Sequence, residues 1–288
     1  EKEMSYFMSL NPLSLFRAMP GSIAQGMIWG VMALGVYITF RLLDFADLTV
    51  DGSIATGAAV SVMLIRAGVS PIATLPIAFL AGALAGMVTG LLNTALGIPG
   101  ILASILTQIS LYSINLNIMG KANQPVSVDN YPLVVSLRYV TDGSVSRLLF
   151  FLGMIVFLLA LIAVMYWYFG TEQGHAIRAT GCNSNMARAQ GINTNFIKVL
   201  ALMISNGLVG LCGALYGQFQ GASDVNMGRG AIVIGLAAVI IGEVLFGKFA
   251  SKRKLAFAFT LASVILGAVI YYMVYQFVLW LKMPSEDM

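Results

Sequence analysis

Long apolar runs without a single charged residue divide this chain. They cover residues 18–40, 67–120, 148–171, 199–223 and 255–281. A helix needs about 20 apolar residues to cross the hydrocarbon core of a bilayer, where only helices and closed barrels can satisfy the backbone polar groups. Barrel strands would instead give segments of about ten residues with alternating hydrophobicity. The pattern therefore predicts an all-α, polytopic bundle of transmembrane helices.

About eight helices are predicted from these runs and from two further apolar stretches, 48–66 and 230–247, that contain charged residues. They are expected near residues 22–40, 48–66, 71–92, 99–119, 148–168, 195–217, 230–247 and 255–281. The stretch 67–120 is long enough for two passes, and Gly97-Ile98-Pro99-Gly100 divides it because proline and glycine end helices and proline can open the next one. Broken or re-entrant helices fit the same pattern. Residues 1–21 are predicted to lie in the membrane interface, and residues 22–282 to form a single transmembrane domain.

Composition excludes a soluble domain. Hydrophobic residues make up 59% of the chain and charged residues only 10%, whereas a soluble domain carries roughly 25% charged residues. The net charge of +4 does not indicate a nucleic-acid partner, because the basic residues lie at the ends of predicted spans. Membrane lipid is the expected surrounding. Cys182 in a polar loop and Cys212 in an apolar run predict no disulfide, and the single His175 predicts no metal site.

The distribution of lysine and arginine predicts the orientation. Lys248, Lys252, Arg253 and Lys254 form the densest basic cluster, and such clusters remain on the cytoplasmic side. With eight spans, the segment 171–194 falls on that side too, while both termini and the segment 121–147 fall outside. The chain is therefore expected in the cell (inner or plasma) membrane.

The stretch 170–193 is the longest polar connection between two predicted spans. Residues around Ala187 favour a short helix, with Asn183 or Ser184 as its N-cap and Gly191 as its stop. Such a helix would offer a surface to a soluble partner. The alternative is a plain solvated loop, which composition alone favours.

Several motifs together resemble the permease subunits of ABC importers. The run Gly174-x-x-Ile177-Arg178-Ala179-x-Gly181-x-Asn183, continued by Ala187-Arg188-x-x-Gly191-Ile192, is similar to the cytoplasmic coupling loop of the branched-chain amino acid, ribose and nucleoside permease superfamily. The segments 43–53, 100–107, 112–116 and 235–243 resemble its tryptophan/tyrosine-type branch. Together these matches extend from about residue 25 to about residue 275.

The resemblance implies a transport subunit that works with separate partners. A second permease subunit, expected to be a copy of this chain, would complete the path. A dimer of ATP-binding-cassette ATPases would hold the segment 171–193, and an extracellular or periplasmic binding protein would deliver the solute. The implied solute is an aromatic or branched-chain amino acid, with a nucleoside or a sugar as alternatives. The residues implied in coupling are Gly174, Ile177, Arg178, Ala179, Gly181, Asn183, Ala187, Arg188, Gly191 and Ile192.

Nothing in the sequence indicates that this chain hydrolyses ATP. It has no Gly-x-x-x-x-Gly-Lys-Ser/Thr phosphate loop. ATP and magnesium are therefore expected on the partner ATPase, with no cofactor in this chain. An intramembrane enzyme finds no support in a His/Asp cluster or a Gly-x-Ser-x-Gly motif. A stand-alone secondary transporter driven by ions is the other alternative, and it would need intramembrane acids but no ATPase.

Polar residues within the spans are candidates for the translocation path, because intramembrane acids cost at least about 2.5 kcal/mol on insertion scales. Asp51-Gly52-Ser53 is predicted to break the second helix and to open a new helix N-terminus, which could face an anionic group. The alternative is that Asp44, Asp47 and Asp51 only cap the second span. The candidate path residues are Asp51, Gly52, Ser53, Thr107, Asn115, Asn117 and Glu243.

The remaining candidates also have simpler interpretations. Thr107, Asn115 and Asn117 could bond neighbouring helices instead of lining a wet path. Glu243 could form a salt bridge at the membrane boundary, close to Lys248 in sequence. A weak similarity between residues 47–60 and 224–239 supports two inverted halves, because these segments open the second and seventh spans, which would run in opposite directions.

Overall fold

Helices cover most of the chain, as its apolar runs require. The computed structural model describes residues 12–127, 130–141, 144–250 and 255–281. The first helix continues into a π-helical turn, Ile38–Leu42, and a two-stranded antiparallel ribbon completes the secondary structure of these ranges. The elements are α1 (Pro12–Tyr37), α2 (Thr49–Arg66), α3 (Pro71–Thr94), α4 (Gly100–Met119), β1 (Asn123–Pro125), α5 (Leu137–Thr141), α6 (Ser144–Phe169), α7 (Glu172–Cys182), α8 (Ser184–Ala189), α9 (Thr194–Gln220), β2 (Ala222–Asp224), α10 (Ala231–Ala250) and α11 (Ala256–Trp280).

Each of the eight predicted spans corresponds to one long helix. In the described ranges, six helices are long and apolar enough to cross a membrane by length and composition. The other two are α2, which is short and mostly buried, and α10, whose apolar part is Ala231–Gly247. The all-α, polytopic bundle is therefore confirmed. Helix α1 begins at Pro12 instead of near residue 22; residues 1–11 lie outside the described ranges, and the interfacial placement of residues 1–21 stays a prediction.

Helix α9 forms the centre of the bundle. Helices α9 and α1 are mostly buried inside the protein, whereas α6 is mostly exposed. Helices α2 and α3 pack along α9. Helix α1 also packs on α9, and it contacts α10 and α11 as well. The sequence explains the contrast, because α9 alternates glycine and small polar residues with its apolar ones, whereas α6 is apolar from Leu148 onwards. Helix α6 therefore presents most of its side chains to lipid and packs one face on the bundle.

Glycines bring the backbones of the central helices into contact. A Cβ added to Gly57 of α2 would overlap the carbonyl oxygen of Gly210 in α9, and one added to Gly82 of α3 would overlap that of Asn206. Likewise, Gly213 of α9 faces the backbone of Ile54. Small residues permit this close approach of the backbones. The resulting van der Waals contact stabilises the bundle, because the hydrophobic effect does not drive helices together in lipid.

The ribbon joins the chain ends of several helices on one side of the bundle. Strand β1 follows α4 and pairs with β2, which follows α9, with Asn123 opposite Asp224 and Pro125 opposite Ala222. The side chain of Arg66, at the end of α2, donates to that of Gln124. The sequence patterns did not predict this ribbon. It places the ends of α2, α4 and α9 at one level.

The polar segment 171–193 lies at the opposite end of α9. Helix α9 has 27 residues, which correspond to about 40 Å of helix, and the polar segment directly precedes its start. Phe257, at the start of α11, contacts Arg178 of this segment, whereas Gln276 near the end of α11 bonds Ser22 in the first half of α1. The described ends of α1 and α11 therefore share one side, opposite to segment 171–193, as predicted. Which side is cytoplasmic stays a prediction; Lys252, Arg253 and Lys254 lie outside the described ranges, and so does the side chain of Lys248.

Helices α2 and α10 begin close together and run in opposite directions. The backbone of Gly228, just before α10, packs on Asp51 in the first turn of α2. From this level α2 runs to the ribbon, where Arg66 ends it. Helix α10 runs to Glu243, which pairs with Arg41 in the π-helical turn. The opposite directions agree with the inverted repeat suggested by the sequence.

Replacing Gly57 tests the backbone contact between α2 and α9. Gly57→Ala is expected to lower the free energy of unfolding by about 1–3 kcal/mol, because the new Cβ must push two helices apart. The matched control is Gly153→Ala on α6, where a Cβ would meet nothing within 4 Å, so we expect a change within about 0.5 kcal/mol. Thermal unfolding of the purified protein in detergent measures both. Equal midpoints for the two variants would contradict this packing.

Candidate functional site

Two of the three clustered aspartates differ sharply in environment. Asp44 is exposed and has a positive φ of 54°. Asp47 is 1% exposed, and its Oδ1 accepts a hydrogen bond of 2.9 Å from the backbone N–H of Thr49, the first residue of α2. Asp47 therefore caps the start of the second span, in agreement with the simpler interpretation.

Asp47 also ties the segment between α1 and α2 to the central helix. Its Oδ2 accepts a 2.6 Å hydrogen bond from Nδ2 of Asn206, and Oδ1 of Asn206 accepts another of 2.6 Å from the hydroxyl of Ser53. All three side chains are buried. Ser53, a predicted path residue, is thus part of a structural network. Asn206 was missed by the sequence patterns, although it is an isolated amide in an uncharged run of 25 residues, 199–223.

A chain of buried hydroxyl groups lies beside this network. The hydroxyls of Thr49 and Thr89 are 2.7 Å apart, and that of Thr89 donates to Thr107 at 2.9 Å. These contacts join α2, α3 and α4. Thr107 thus bonds a neighbouring helix, as the alternative interpretation expected, and its place in the translocation path stays a prediction.

Asp51 does not mark a helix break. Helix α2 is continuous from Thr49 to Arg66, so the predicted break at residues 51–53 is wrong. Instead, the Asp51 carboxylate accepts hydrogen bonds from the backbone N–H groups of Gly230, at 3.1 Å, and Ile232, at 3.0 Å. These donors lie at the start of α10, where N–H groups have no partner within the helix and a negative charge is favourable. The sequence predicted a helix N-terminus at residues 51–53 of the second span. The structure instead places the N-terminus of α10 opposite Asp51.

A cavity of about 320 Å³, with several polar side chains in its wall, opens next to Asp51. It lies between α2, α4 and the loop that precedes α10. Asn115 of α4 is 0% exposed, and neither atom of its side-chain amide has a hydrogen-bond partner within the described ranges. Asp51 and Arg229 place opposite charges on the wall. The polar residues lining it include Asp51, Gln108, Tyr112, Asn115, Asn226 and Arg229.

The cavity brings together only part of the predicted path. Asp51, Gly52 and Asn115 line it, whereas Asn117 is exposed on α4 outside the lining. Glu243 lies elsewhere, in an ion pair of 2.9 Å with Arg41. The partner suggested by sequence proximity was Lys248, but Arg41 is brought close by the packing of α10 against α1. Glu243 thus forms the salt bridge that the simpler interpretation gave it, with a different cation.

The polar segment 171–193 forms two helices. The side chain of Asn183 accepts hydrogen bonds from the backbone N–H groups of Asn185 and Met186 and caps α8, and Gly191 follows that helix with a φ of 86°. The predicted short helix and its cap are confirmed. Helix α7 was not predicted; its start is capped by Thr171, whose hydroxyl accepts from the N–H of Gly174.

One face of this segment docks on the protein's own helices. A Cβ at Gly174 would overlap the backbone of Phe169 at the end of α6, and one at Gly181 would overlap the carbonyl oxygen of Leu42. Ile177 is 0% exposed between them. Ala187 is buried as well, and Ile192 is half-buried. Five residues of the resemblance motif therefore fix the segment against the bundle.

The other face is open. Exposed positions include the predicted coupling residues Ala179, Asn183, Arg188 and Gly191. The guanidinium of Arg188 donates to the hydroxyl of Thr194, at 3.2 and 3.3 Å. Arg178 is different, because its guanidinium lies 4.1 Å from the ring centre of Phe257 and so faces α11. Whether these residues couple to a partner stays a prediction.

The two cysteines and the histidine do not line the cavity next to Asp51. Cys182 is exposed at the end of α7, Cys212 is buried in α9, and both are free, as predicted. His175 is exposed, with its Nδ1 2.8 Å from the carbonyl oxygen of Thr171. Among the residues that the structure describes, no three His, Cys, Asp or Glu side chains are grouped so that they could hold a metal ion.

A family model identifies the class of protein. The model described as "Branched-chain amino acid transport system / permease component" matches residues 19–287. The chain belongs to this family, and it is therefore an ABC-type permease, a multi-pass transport subunit of the membrane. The resemblance seen in the sequence motifs is confirmed.

Curated relatives agree with this assignment. The tyrosine transport system permease protein of Clostridioides difficile (strain R20291) is 39% identical over 266 residues, which cover 92% of this chain and 84% of that protein. The inner membrane ABC transporter permease protein YjfF of Escherichia coli (strain K12) is 27% identical over 218 residues, covering 75% and 64%. The autoinducer 2 import system permease protein LsrC of Yersinia pseudotuberculosis (serotype O:3, strain YPIII) is 28% identical over 259 residues, covering 88% and 68%. No solved structure matches the chain.

Removing the Asp47 carboxylate tests the buried network. Asp47→Ala leaves the amide of Asn206 and the N–H of Thr49 without this acceptor, so we expect the free energy of unfolding to fall by roughly 1–3 kcal/mol. The control is Asp44→Asn, which removes the same charge at an exposed site, and asparagine tolerates the positive φ. It should change stability by less than about 0.5 kcal/mol. Denaturant or thermal unfolding compares the two, and an equal effect would refute the role of Asp47.

Proposed function

We propose that this chain forms, with a second copy of itself, the translocation path of an importer for an aromatic or branched-chain amino acid. The observation that carries the proposal is the cavity between α2 and α4, with the amide of Asn115, which has no partner among the described residues, in its wall. A buried amide without a partner costs about 1–3 kcal/mol. A passing ligand that bonds this amide would offset that cost.

The chemistry of the cavity suits a zwitterion. An amino acid carries an ammonium and a carboxylate, and the wall offers the Asp51 carboxylate and the Arg229 guanidinium. The two hydrogen bonds that Asp51 accepts from α10 fix its position and leave other lone pairs for an ammonium. The volume of about 320 Å³ lies at the lower end of the range of small-molecule sites. The similarity to a tyrosine transport permease supports the same solute class.

Energy would come from a separate ATPase dimer that binds the open face of segment 171–193. Exposed Ala179, Asn183, Arg188 and Gly191 form the contact surface in this proposal. Movement of the ATPases would reach the spans through the docked face, because Gly181 packs on the π-helical turn that ends α1. ATP and magnesium would bind to the ATPases, and an external binding protein would deliver the solute.

Reconstitution tests this division of labour. Proteoliposomes that contain the permease, the ATPase and the binding protein are expected to accumulate labelled tyrosine when ATP is enclosed with the ATPase. Proteoliposomes with the permease alone should not accumulate it, with or without an ion gradient. Uptake by the permease alone in an ion gradient would contradict the proposal and establish an ion-driven secondary transporter.

Asn115 can be tested against a neighbour in the same assay. Asn115→Leu removes the amide from the cavity wall, so tyrosine uptake should fall about tenfold, which corresponds to roughly 1.4 kcal/mol. Asn117→Leu makes the same change two residues further along α4, outside the cavity lining, and should leave uptake within about twofold. Measuring the basal ATPase rate of both complexes shows whether assembly is intact. Equal uptake by the two variants would remove Asn115 from the path.

A further inference from the structure

A second cavity lies beside α7, at the end of the bundle far from the ribbon. Its volume is about 490 Å³, and it lies between the end of α6, the start of α7 and the start of α11. It shares no lining residue with the cavity next to Asp51. Its lining includes Tyr166, Trp167, His175, Arg178 and Phe257.

Arg178 supplies a positive charge to this cavity, and no ion pair to it is formed by the residues that the structure describes. Its guanidinium lies over the rings of Phe257, at 4.1 Å, and Phe169, at 5.7 Å. Its Nε is buried and has no hydrogen-bond partner in the described part of the chain. The carboxylate of Glu243 is engaged by Arg41 instead. Stacking on aromatic rings holds the plane of a guanidinium but leaves its N–H groups free at the edge, where they match the oxygens of a phosphate.

The cavity lies at the level where lipid headgroups are expected. Trp167 and Tyr166 end the apolar helix α6 and are 71% and 41% exposed. Tryptophan and tyrosine occupy the membrane–water interface because their rings are both apolar and polar. Val164, one turn before Trp167, is 60% exposed on the same helix and continues an apolar surface towards the membrane core. A headgroup site at this level would therefore be continuous with a surface for acyl chains.

We propose that this cavity binds the headgroup phosphate of an anionic phospholipid. The Arg178 guanidinium would donate to the phosphate, the exposed imidazole of His175 would lie at the polar edge, and the acyl chains would follow α6. A lipid held here would bridge α6, α7 and α11 and so stabilise the docked position of segment 171–193. This inference is independent of the solute and of the cavity next to Asp51.

Lipid retention measures the site directly. In native mass spectrometry of the purified permease, phosphatidylglycerol should be retained about tenfold more than phosphatidylcholine. Both offer a phosphate to the guanidinium, but the choline cation neutralises phosphatidylcholine, whereas phosphatidylglycerol keeps a net negative charge. Arg178→Gln should reduce this retention about tenfold. Arg178→Lys keeps the charge but loses the planar fork, so an intermediate loss of severalfold is expected. Arg188→Gln removes a cation from the same segment outside the cavity and should retain the wild-type preference.

Two further measurements distinguish lipid binding from binding of a soluble phosphate and from a loss of folding in the variant. Trp167→Ala keeps the charge and removes the aromatic edge, so it should lower phosphatidylglycerol retention severalfold even if Arg178→Gln is unstable. Millimolar inorganic phosphate or ATP should not displace the lipid. Displacement by either one would show a site for soluble phosphate and overturn the lipid assignment. Equal retention by Arg178→Gln and wild type, or by the two lipids, would also overturn it.

Discussion

Backbone contact between α9 and its neighbours is the constraint on which the rest of the structure depends. In lipid, apolar side chains gain nothing by leaving the membrane for the bundle, so helices associate through close packing and internal hydrogen bonds. The glycines at the crossings provide the first. The second is provided by Asn206, which bonds Asp47 and Ser53 at the same level of α9. Together they fix a non-helical segment, residues 43–48, against the bundle, with Asp47 buried in it.

That segment determines where α2 begins and therefore where the cavity lies. Because α2 starts inside the bundle, Asp51 in its first turn can reach the start of α10 and bond Gly230 and Ile232. The two helices then run apart, one to the ribbon and the other to the side of segment 171–193. The cavity opens where they meet, against Asn115 of α4. The same packing connects α9 to both ends of the bundle, so the polar segment and the cavity belong to one continuous body.

Local patterns predicted the elements, and contacts distant in sequence decided the site. The uncharged apolar runs predicted six of the eight long helices, and apolar stretches with one or two charged residues predicted α2 and α10. Asn183 was a recognisable cap because capping depends on neighbouring residues. The partner of Glu243 and the role of Asp51 could not be predicted, because Arg41 and Gly230 are about 200 residues away in the sequence. The ribbon was not predicted, because strands of three residues are too short to show an alternation of polar and apolar side chains. Helix α7 had a detectable cap at Thr171, but its polar composition resembled a loop.

The central claim is that segment 171–193 faces the cytoplasm, where a separate motor can bind it. Cys182 is exposed in this segment, whereas Cys212 is buried in α9, so a membrane-impermeant maleimide has one accessible thiol to report on. Labelling of Cys182 is predicted in inside-out vesicles and not in intact cells, with Cys182→Ser as the unlabelled control. Labelling of Cys182 in intact cells would contradict the account, because no cytoplasmic ATPase could then reach the segment.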